Sequence, residues 1–263
     1  MGVITALSLK ELNQLFCNYV FIKIEPTSSG TIDTTYRVFT ETKSYILKKY
    51  EREIPKKINA DSQLLERLHA SGLNVPRLIE QHDGWHLYKK LDGLSPTRVH
   101  TYHIRALARF MAQLHAETQK IKSGIDFIES YDVNTMLRYA KHHHYSYFKK
   151  LESLENYQAK SDGLIHGDIF RDNTVFDAQK IGVFDFIDAA DGEFLFDIAV
   201  ALVSFNPAKH ELYLNLFIKT YNQHAPKKVN KKDLKAMIKR ASGFYALLRI
   251  YMHKNAKKAK ELL

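Results

Sequence analysis

Between His166 and Asp185 the chain places an Asp, an Asn five residues later and a second Asp twelve residues after that: Asp168, Asn173 and Asp185. Three hard oxygen groups in this order suit phosphoryl transfer. That reaction needs a carboxylate to orient an attacking hydroxyl and receive its proton. It also needs oxygen ligands that hold Mg²⁺ against a triphosphate. Each residue alone is ordinary, since His-Gly-Asp can be a turn and an Asp after a strand can cap a helix. The ordered set is what points to chemistry.

The elements around these residues must bring them together. Thr174-Val175-Phe176 predicts a short strand, Asp177-Ala178-Gln179-Lys180 a polar turn, and Ile181-Gly182-Val183-Phe184 the returning strand. Such a hairpin carries Asn173 and Asp185 to one edge, as two ligands of one ion require. Asp168 is left on the loop before them, free to face a substrate hydroxyl.

The region before the hairpin predicts a small antiparallel sheet with helices. Ser8 and Glu11 form a capping box for a helix carrying Leu9, Leu12, Leu15 and Phe16. Tyr19–Ile24, Thr35–Phe39 and Ser44–Lys48 have the alternation or β-branched and aromatic content of strands. Val75–Ile79 and Trp85–Tyr88 complete five strands, with a helix over Asp61–Ala70 stopped by Ser71-Gly72. Between the first two strands, small hydroxyl residues and one glycine, Ser29, Gly30 and Thr31 among them, can bring backbone N–H groups near a phosphate. Lys48 and Lys49 have opposite side-chain parity on the third strand, so only one of them can face a cleft, and Lys48 is the choice.

From about residue 95 the pattern is mainly helical, with Leu107, Phe110, Met111 and Leu114 on one face of Tyr102–Thr118. His115 reads as a structural histidine. His142-His143-His144 invites a metal reading, but consecutive helix positions point about 100° apart and cannot readily chelate one ion.

The His-Gly-Asp-x-x-x-x-Asn stretch with Asp185 resembles the aminoglycoside phosphotransferase and choline kinase superfamily. The resemblance implies an α+β, protein-kinase-like fold of two lobes. Residues 1–92 would form a nucleotide-binding lobe with a five-stranded antiparallel sheet and a helix. Residues 93–263 would form a larger, mainly helical lobe with the catalytic hairpin and the acceptor site. ATP and Mg²⁺ are the implied cofactors. Asp168 is then the catalytic base, Asn173 and Asp185 the metal ligands, and Lys48 the phosphate-contacting lysine. Its carboxylate partner would be Asp61 or Glu66, and register favours Asp61. Asp33 stands where the superfamily's covering loop usually has Asn, so it should turn away from phosphates or meet a cation. Lys90 and Leu91 would lie on the hinge beside the nucleotide, and Asp197 would brace the catalytic loop.

Three further segments narrow the resemblance. They are Asp168-Ile169-Phe170-Arg171-Asp172-Asn173, Phe217–Gln223, and the helix from Arg240 to Lys254. In order and spacing they look like the kinase-like homoserine kinases. That implies an acceptor with an α-carboxylate and an α-ammonium. Arg171 or Arg249 could pair with the carboxylate. Asp188, Asp191 or Glu193 could meet the ammonium. The chain departs from those kinases at Ile187-Asp188-Ala189-Ala190 and Val203-Ser204-Phe205-Asn206. The competing readings are an aminoglycoside or choline/ethanolamine-type kinase and a non-catalytic kinase-like binding module.

Bulk properties fit these expectations. The 263 residues suffice for one large domain or two lobes, and 45% hydrophobic content is that of a globular protein. No long apolar run predicts a membrane span, and the first ten residues do not read as a signal peptide. The single cysteine, Cys17, excludes an intrachain disulfide and suits a cytoplasmic setting. The formal charge of +10 comes largely from lysines spread along helical patterns near the C-terminus. Without a nucleic-acid-binding module, this reads as solvated helix faces, and the expected partner is a small-molecule substrate. Monomer and homodimer both remain open.

Overall fold

Ser8 opens the first helix, α1 (Leu9–Leu15), with both halves of the capping box formed: its side chain accepts from Glu11 N–H and Glu11 accepts from Ser8 N–H. The computed structural model describes residues 3–27, 32–155, 160–205, 211–254, 256–260 and 262. Ser29, Gly30 and Thr31 lie outside the described residues. The chain divides into two compact units: residues up to Leu94 together with Gly182–Ile187, and Ser95–Ile181 with Asp188 onward.

The first unit is built on five antiparallel strands: β1 (Lys23–Pro26), β2 (Thr34–Phe39), β3 (Ser44–Lys49), β4 (Arg77–His82) and β5 (Trp85–Lys89), in the order β1-β2-β3-β5-β4. Alternation along β2 and β3 buries Tyr36, Val38, Tyr45 and Leu47 in one core with Leu12 of α1 and Phe16 at its C-cap. The remaining helix, α2 (Pro55–Ala70), begins six residues before the expected Asp61. Pro55 starts it, as the fixed φ of proline allows at a first helical position. Its first turn carries Lys56 and Lys57 and lacks the apolar periodicity that marks the later turns.

Two strands sit differently from their predicted positions. The first begins at Lys23 rather than Tyr19, because Tyr19 and Phe21 serve the core from a loop. Asn13 grips Phe21 from both sides, donating to its C=O at 3.0 Å and accepting from its N–H at 2.8 Å. Tyr19 stacks on Phe21 and meets Tyr45 edge-on. β4 runs Arg77–His82 instead of Val75–Ile79, since Val75 is already buried in the turn after α2.

The second unit holds α3 (Thr101–Thr118), α4 (Val133–His143), α5 (Tyr145–Leu151), β6 (Gly163–Ile165), β7 (Thr174–Asp177), β8 (Lys180–Val183), β9 (Ala190–Gly192), α6 (Phe194–Phe205), α7 (Glu211–His224) and α8 (Lys231–His253), with Gly182 and Val183 of β8 grouping with the first unit. β6 pairs with β9, and β7 with β8 as a hairpin. Among the helices, α3 packs on α7 and α6 on α8. Ile198–Leu202 of α6 are fully buried, so this helix is the centre of the unit's core. Within the first unit, Val183 N–H donates to Asn74 C=O at 3.1 Å.

Candidate active site

The loop from His166 to Asn173 has no regular ladder, so its backbone groups must find partners elsewhere. They find them on buried or half-buried side chains. Gly167 N–H donates to Asp197 Oδ1 at 2.7 Å and His166 N–H to Asp197 Oδ2 at 3.3 Å. Asp168 N–H donates to His166 Nδ1 at 3.1 Å, and Arg171 N–H to Ser204 Oγ at 2.6 Å. Tyr245 on α8 donates its hydroxyl to Gly167 C=O. The loop then closes in a single 3-10 turn, Arg171–Asn173, directly before β7.

Asp197 is the hub of this arrangement. It is fully buried, and His115 Nε2 lies 3.1 Å from its Oδ2, with Tyr221 hydroxyl 2.8 Å from His115 Nδ1. Burial pushes the Asp197 carboxyl up, but the His115 hydrogen bond and charge, His166, and the Gly167 N–H more than offset it. The group is held below the usual carboxylate range. Asp197 was expected as a loop brace and His115 as a structural histidine, and these are their positions. Tyr221, Ser204 and Tyr245 were not foreseen in this role. All three lie in segments that the sequence had marked, Tyr221 in Phe217–Gln223, Ser204 in Val203–Asn206 and Tyr245 in Arg240–Lys254, without their bonds being legible there.

Gly167 adopts φ +77°, and a Cβ there would lie 2.0 Å from Phe127 Cε2. Phe127 is itself buried and cannot yield. Gly167→Ala is therefore expected to lose about 2–3 kcal/mol from backbone strain and overpacking. Chemical denaturation measures this; a stability equal to the parent's would contradict the packing.

Asn173 Nδ2 donates to both the backbone O and the Oδ2 of Asp168, each at 2.9 Å. With the nitrogen committed, Oδ1 is the amide atom turned to other ligands. In the first unit, Lys48 Nζ lies 2.7 Å from Asp185 Oδ1 and 3.7 Å from Asp33 Oδ2. Asp185 follows β8 with φ +72°, a left-handed conformation that Asp tolerates better than most residues. Asp33 also accepts from Glu51 N–H and Arg52, so it meets cations as expected. Lys49 turns the other way and lies over Trp85. Lys48 does not pair with Asp61; Tyr50 stands between them, its hydroxyl donating to Asp61 Oδ2 at 3.3 Å. Lys90 donates to Leu91 C=O at 3.0 Å just after β5.

The acceptor candidates separate. Asp191 gives both carboxylate oxygens to the Ser123 and Gly124 N–H groups, at 2.8 and 3.1 Å. Glu193 accepts from Lys160 N–H at 3.1 Å. These two acids bind loop backbone, Asp191 from β9 and Glu193 directly after it. Arg171 donates to Thr97 C=O at 3.3 Å, while the Arg249 guanidinium lies 5.9 Å from the Phe170 ring centroid. Phe170 meets Tyr245 edge-on. Among the described residues no three His, Cys, Asp or Glu side chains form a metal cluster, and His142 and His143 end α4 on its exposed surface. No described helix is long and apolar enough to cross a membrane.

The sequence profile described as "Phosphotransferase enzyme family" matches residues 23–228. A homoserine kinase of Methylobacillus flagellatus is 24% identical over 224 residues, covering 77% of this chain and 70% of that protein. A solved macrolide 2'-phosphotransferase type I superposes with TM-score 0.69 at 16% identity, covering 100% of this chain and 96% of that one. The amicoumacin kinase hAmiN, in complex with AMP-PNP, Ca²⁺ and Ami, superposes with TM-score 0.68 at 17% identity, covering 97% and 89%. The fold is α+β and protein-kinase-like.

Proposed function

The chain belongs to the phosphotransferase enzyme family, and we propose that it moves the γ-phosphoryl group of ATP to the hydroxyl of a small molecule, L-homoserine. The observation that carries the chemistry is the pinned loop: Asp168 is fixed through its backbone by His166 and through its carboxylate by Asn173. In this reading Asp168 orients the acceptor hydroxyl and takes its proton as the phosphoryl group leaves. Lys48 anchors the phosphates. The reaction asks for positioning and charge neutralisation and for little covalent chemistry from the protein.

Asn173 and Asp185 would hold Mg²⁺. An amide oxygen and a carboxylate are the hard donors this ion takes, and magnesium sites on phosphate substrates commonly use only one or two protein groups. When bound, the ion neutralises charge on the phosphate oxygens.

The named relative supports homoserine as the acceptor, as do the motifs at Phe170-Arg171 and on α8. Arg249 is the arginine favoured here for the carboxylate, since Arg171 already donates to Thr97 C=O while the Arg249 guanidinium lies 5.9 Å from the Phe170 ring centroid. Asp188 is the remaining acid for the ammonium. The solved relatives include antibiotic kinases. A polycationic acceptor would want acids, and Asp191 and Glu193 are bound to backbone N–H groups. A cytoplasmic setting supplies ATP and suits a chain with one cysteine.

The test is ADP release from MgATP with L-homoserine, L-serine, choline and kanamycin in parallel. Homoserine-dependent turnover is expected. A response to another alcohol alone would discard homoserine and keep the reaction. Arg249→Ala should raise the homoserine KM about tenfold or more with little change in the ATP KM, since a charged hydrogen bond is lost. An unchanged homoserine KM would remove Arg249 from the pocket.

A further inference from the structure

We infer that Tyr50 is a positioning residue for Lys48, connecting it to Asp61 in place of a direct ion pair; this rests on the ATP-dependent reading above. The superfamily resemblance implied a direct pair between the lysine of β3 and the acid of α2. Here the acid is Asp, one carbon shorter than Glu, and a tyrosine occupies the gap. Lys48 Nζ lies 4.7 Å from the centroid of the Tyr50 ring, well within cation–π range. The Tyr50 hydroxyl donates to Asp61 Oδ2 at 3.3 Å and lies 3.1 Å from the Tyr88 hydroxyl. A hydroxyl carries one proton, so with that proton given to Asp61, Tyr88 donates to Tyr50. Tyr88 sits on β5 beside β3, and its partner across the ladder is Ile46. The relay therefore joins β3, β5 and α2.

The arrangement has a chemical consequence. Lys48 Nζ already meets Asp185 Oδ1 at 2.7 Å and Asp33 Oδ2 at 3.7 Å, so a direct pair with Asp61 would add a third carboxylate competing with phosphate for its ammonium protons. An aromatic face holds the cation without a formal charge. Burial, followed by the charge of Asp61, pushes the Tyr50 phenol far up, so the ring stays neutral at any working pH. Tyr88 is shifted the same way for the same reasons. His86 packs edge-on against Tyr50 and keeps the ring upright.

The experiment is a double-variant cycle on the full chain, read by MgATP affinity from the nucleotide's effect on thermal unfolding. The second readout is the rate at which an acyl-phosphate derivative of ATP labels Lys48. Tyr50→Leu is expected to weaken ATP about tenfold and to slow labelling in step. Tyr50→Phe keeps the ring and cuts the link to Asp61, so it should fall between the parent and Tyr50→Leu. In a Lys48→Ala background, Tyr50→Leu should cost no further affinity, because the group it positions is gone. If the leucine variant does not fold, the phenylalanine variant carries the cycle. Unchanged ATP affinity alongside a lower unfolding temperature would overturn the inference. So would an equal loss in the Lys48→Ala background. A parent protein that binds no ATP would remove the reading beneath it and the relay with it, whereas failure of homoserine alone would leave both results standing.

Discussion

Asp168→Ala is expected to lower turnover by about a hundred- to ten-thousand-fold while ATP affinity stays within about twofold of the parent. The split follows from how the residue is held. Asp168 N–H donates to His166 Nδ1, and Asp168 C=O accepts from Asn173 Nδ2 and from Phe170 N–H, at 3.1, 2.9 and 2.8 Å. None of these bonds uses the carboxylate. The carboxylate bonds Asn173 Nδ2 at 2.9 Å, which the backbone bond doubles, and also the side chain of Tyr245, whose hydroxyl keeps its bond to Gly167 C=O. Removing the carboxyl should therefore leave the loop standing and take away the proton acceptor. Asp168→Asn makes the same point more sharply. It keeps the shape and can still hydrogen-bond an acceptor hydroxyl, yet an amide cannot receive the proton. Steady-state ADP release measures the first quantity and nucleotide-induced thermal stabilisation the second. Near-parent turnover in either variant would sink the mechanism. Loss of ATP stabilisation in both would mean that Asp168 belongs to the nucleotide site and not to the acceptor.

What the sequence disclosed about this loop was the spacing of its polar residues, and what it hid was their support. The spacing of Asp168, Asn173 and Asp185 with an intervening hairpin is local information, and β7 and β8 lie within a residue or so of their expected bounds. Strand parity chose Lys48 over Lys49, and Lys48 is the one bound to Asp185 while Lys49 lies on Trp85. The partners of the loop, by contrast, come from far along the chain. Ser204 lies 33 residues and Tyr245 78 residues from the groups they bind. No periodicity couples such positions. The same limit applies to Asp191 and Glu193, whose bonds to backbone N–H groups at Ser123, Gly124 and Lys160 also join distant parts of the chain. Tyr19 and Phe21 misled for a different reason. Aromatic residues with strand-like spacing also suit a loop folded onto a core, and only the grip of Asn13 on Phe21 distinguishes the two. Tyr50 went unremarked because a tyrosine just after a strand is an unexceptional residue. Its role depends on the lysine, the acid and the second tyrosine around it.

Asp197→Ala is expected to cost about 3–5 kcal/mol of stability and to take activity with it. The carboxylate is fully buried and accepts from Gly167 N–H, His166 N–H and the His115 ring. Alanine would strand these donors in a dry interior, and the His115–Tyr221 bond behind them would lose its anchor. Asn is no remedy, because its amide nitrogen would face N–H groups on one side. The sign of the pH dependence follows from the depressed carboxyl. In the unfolded chain Asp197 titrates near the usual value of about 3.9, and in the folded protein it titrates lower. Its stabilising contribution is thus complete above the unfolded value and drains away as pH falls through the folded one. Urea denaturation of the parent from pH 7 downward should show a midpoint that drops below about pH 4. Asp197→Ala should start lower and fall less steeply, since part of the acid-sensitive stability has already been removed. Parallel curves would assign the acid loss to other carboxylates. A variant as stable as the parent at neutral pH would refute the brace itself. If stability is lost as expected, Asp168 owes its position to Asp197. The loop that carries Asp168 has no ladder of its own, and its first two N–H groups end on this one carboxylate.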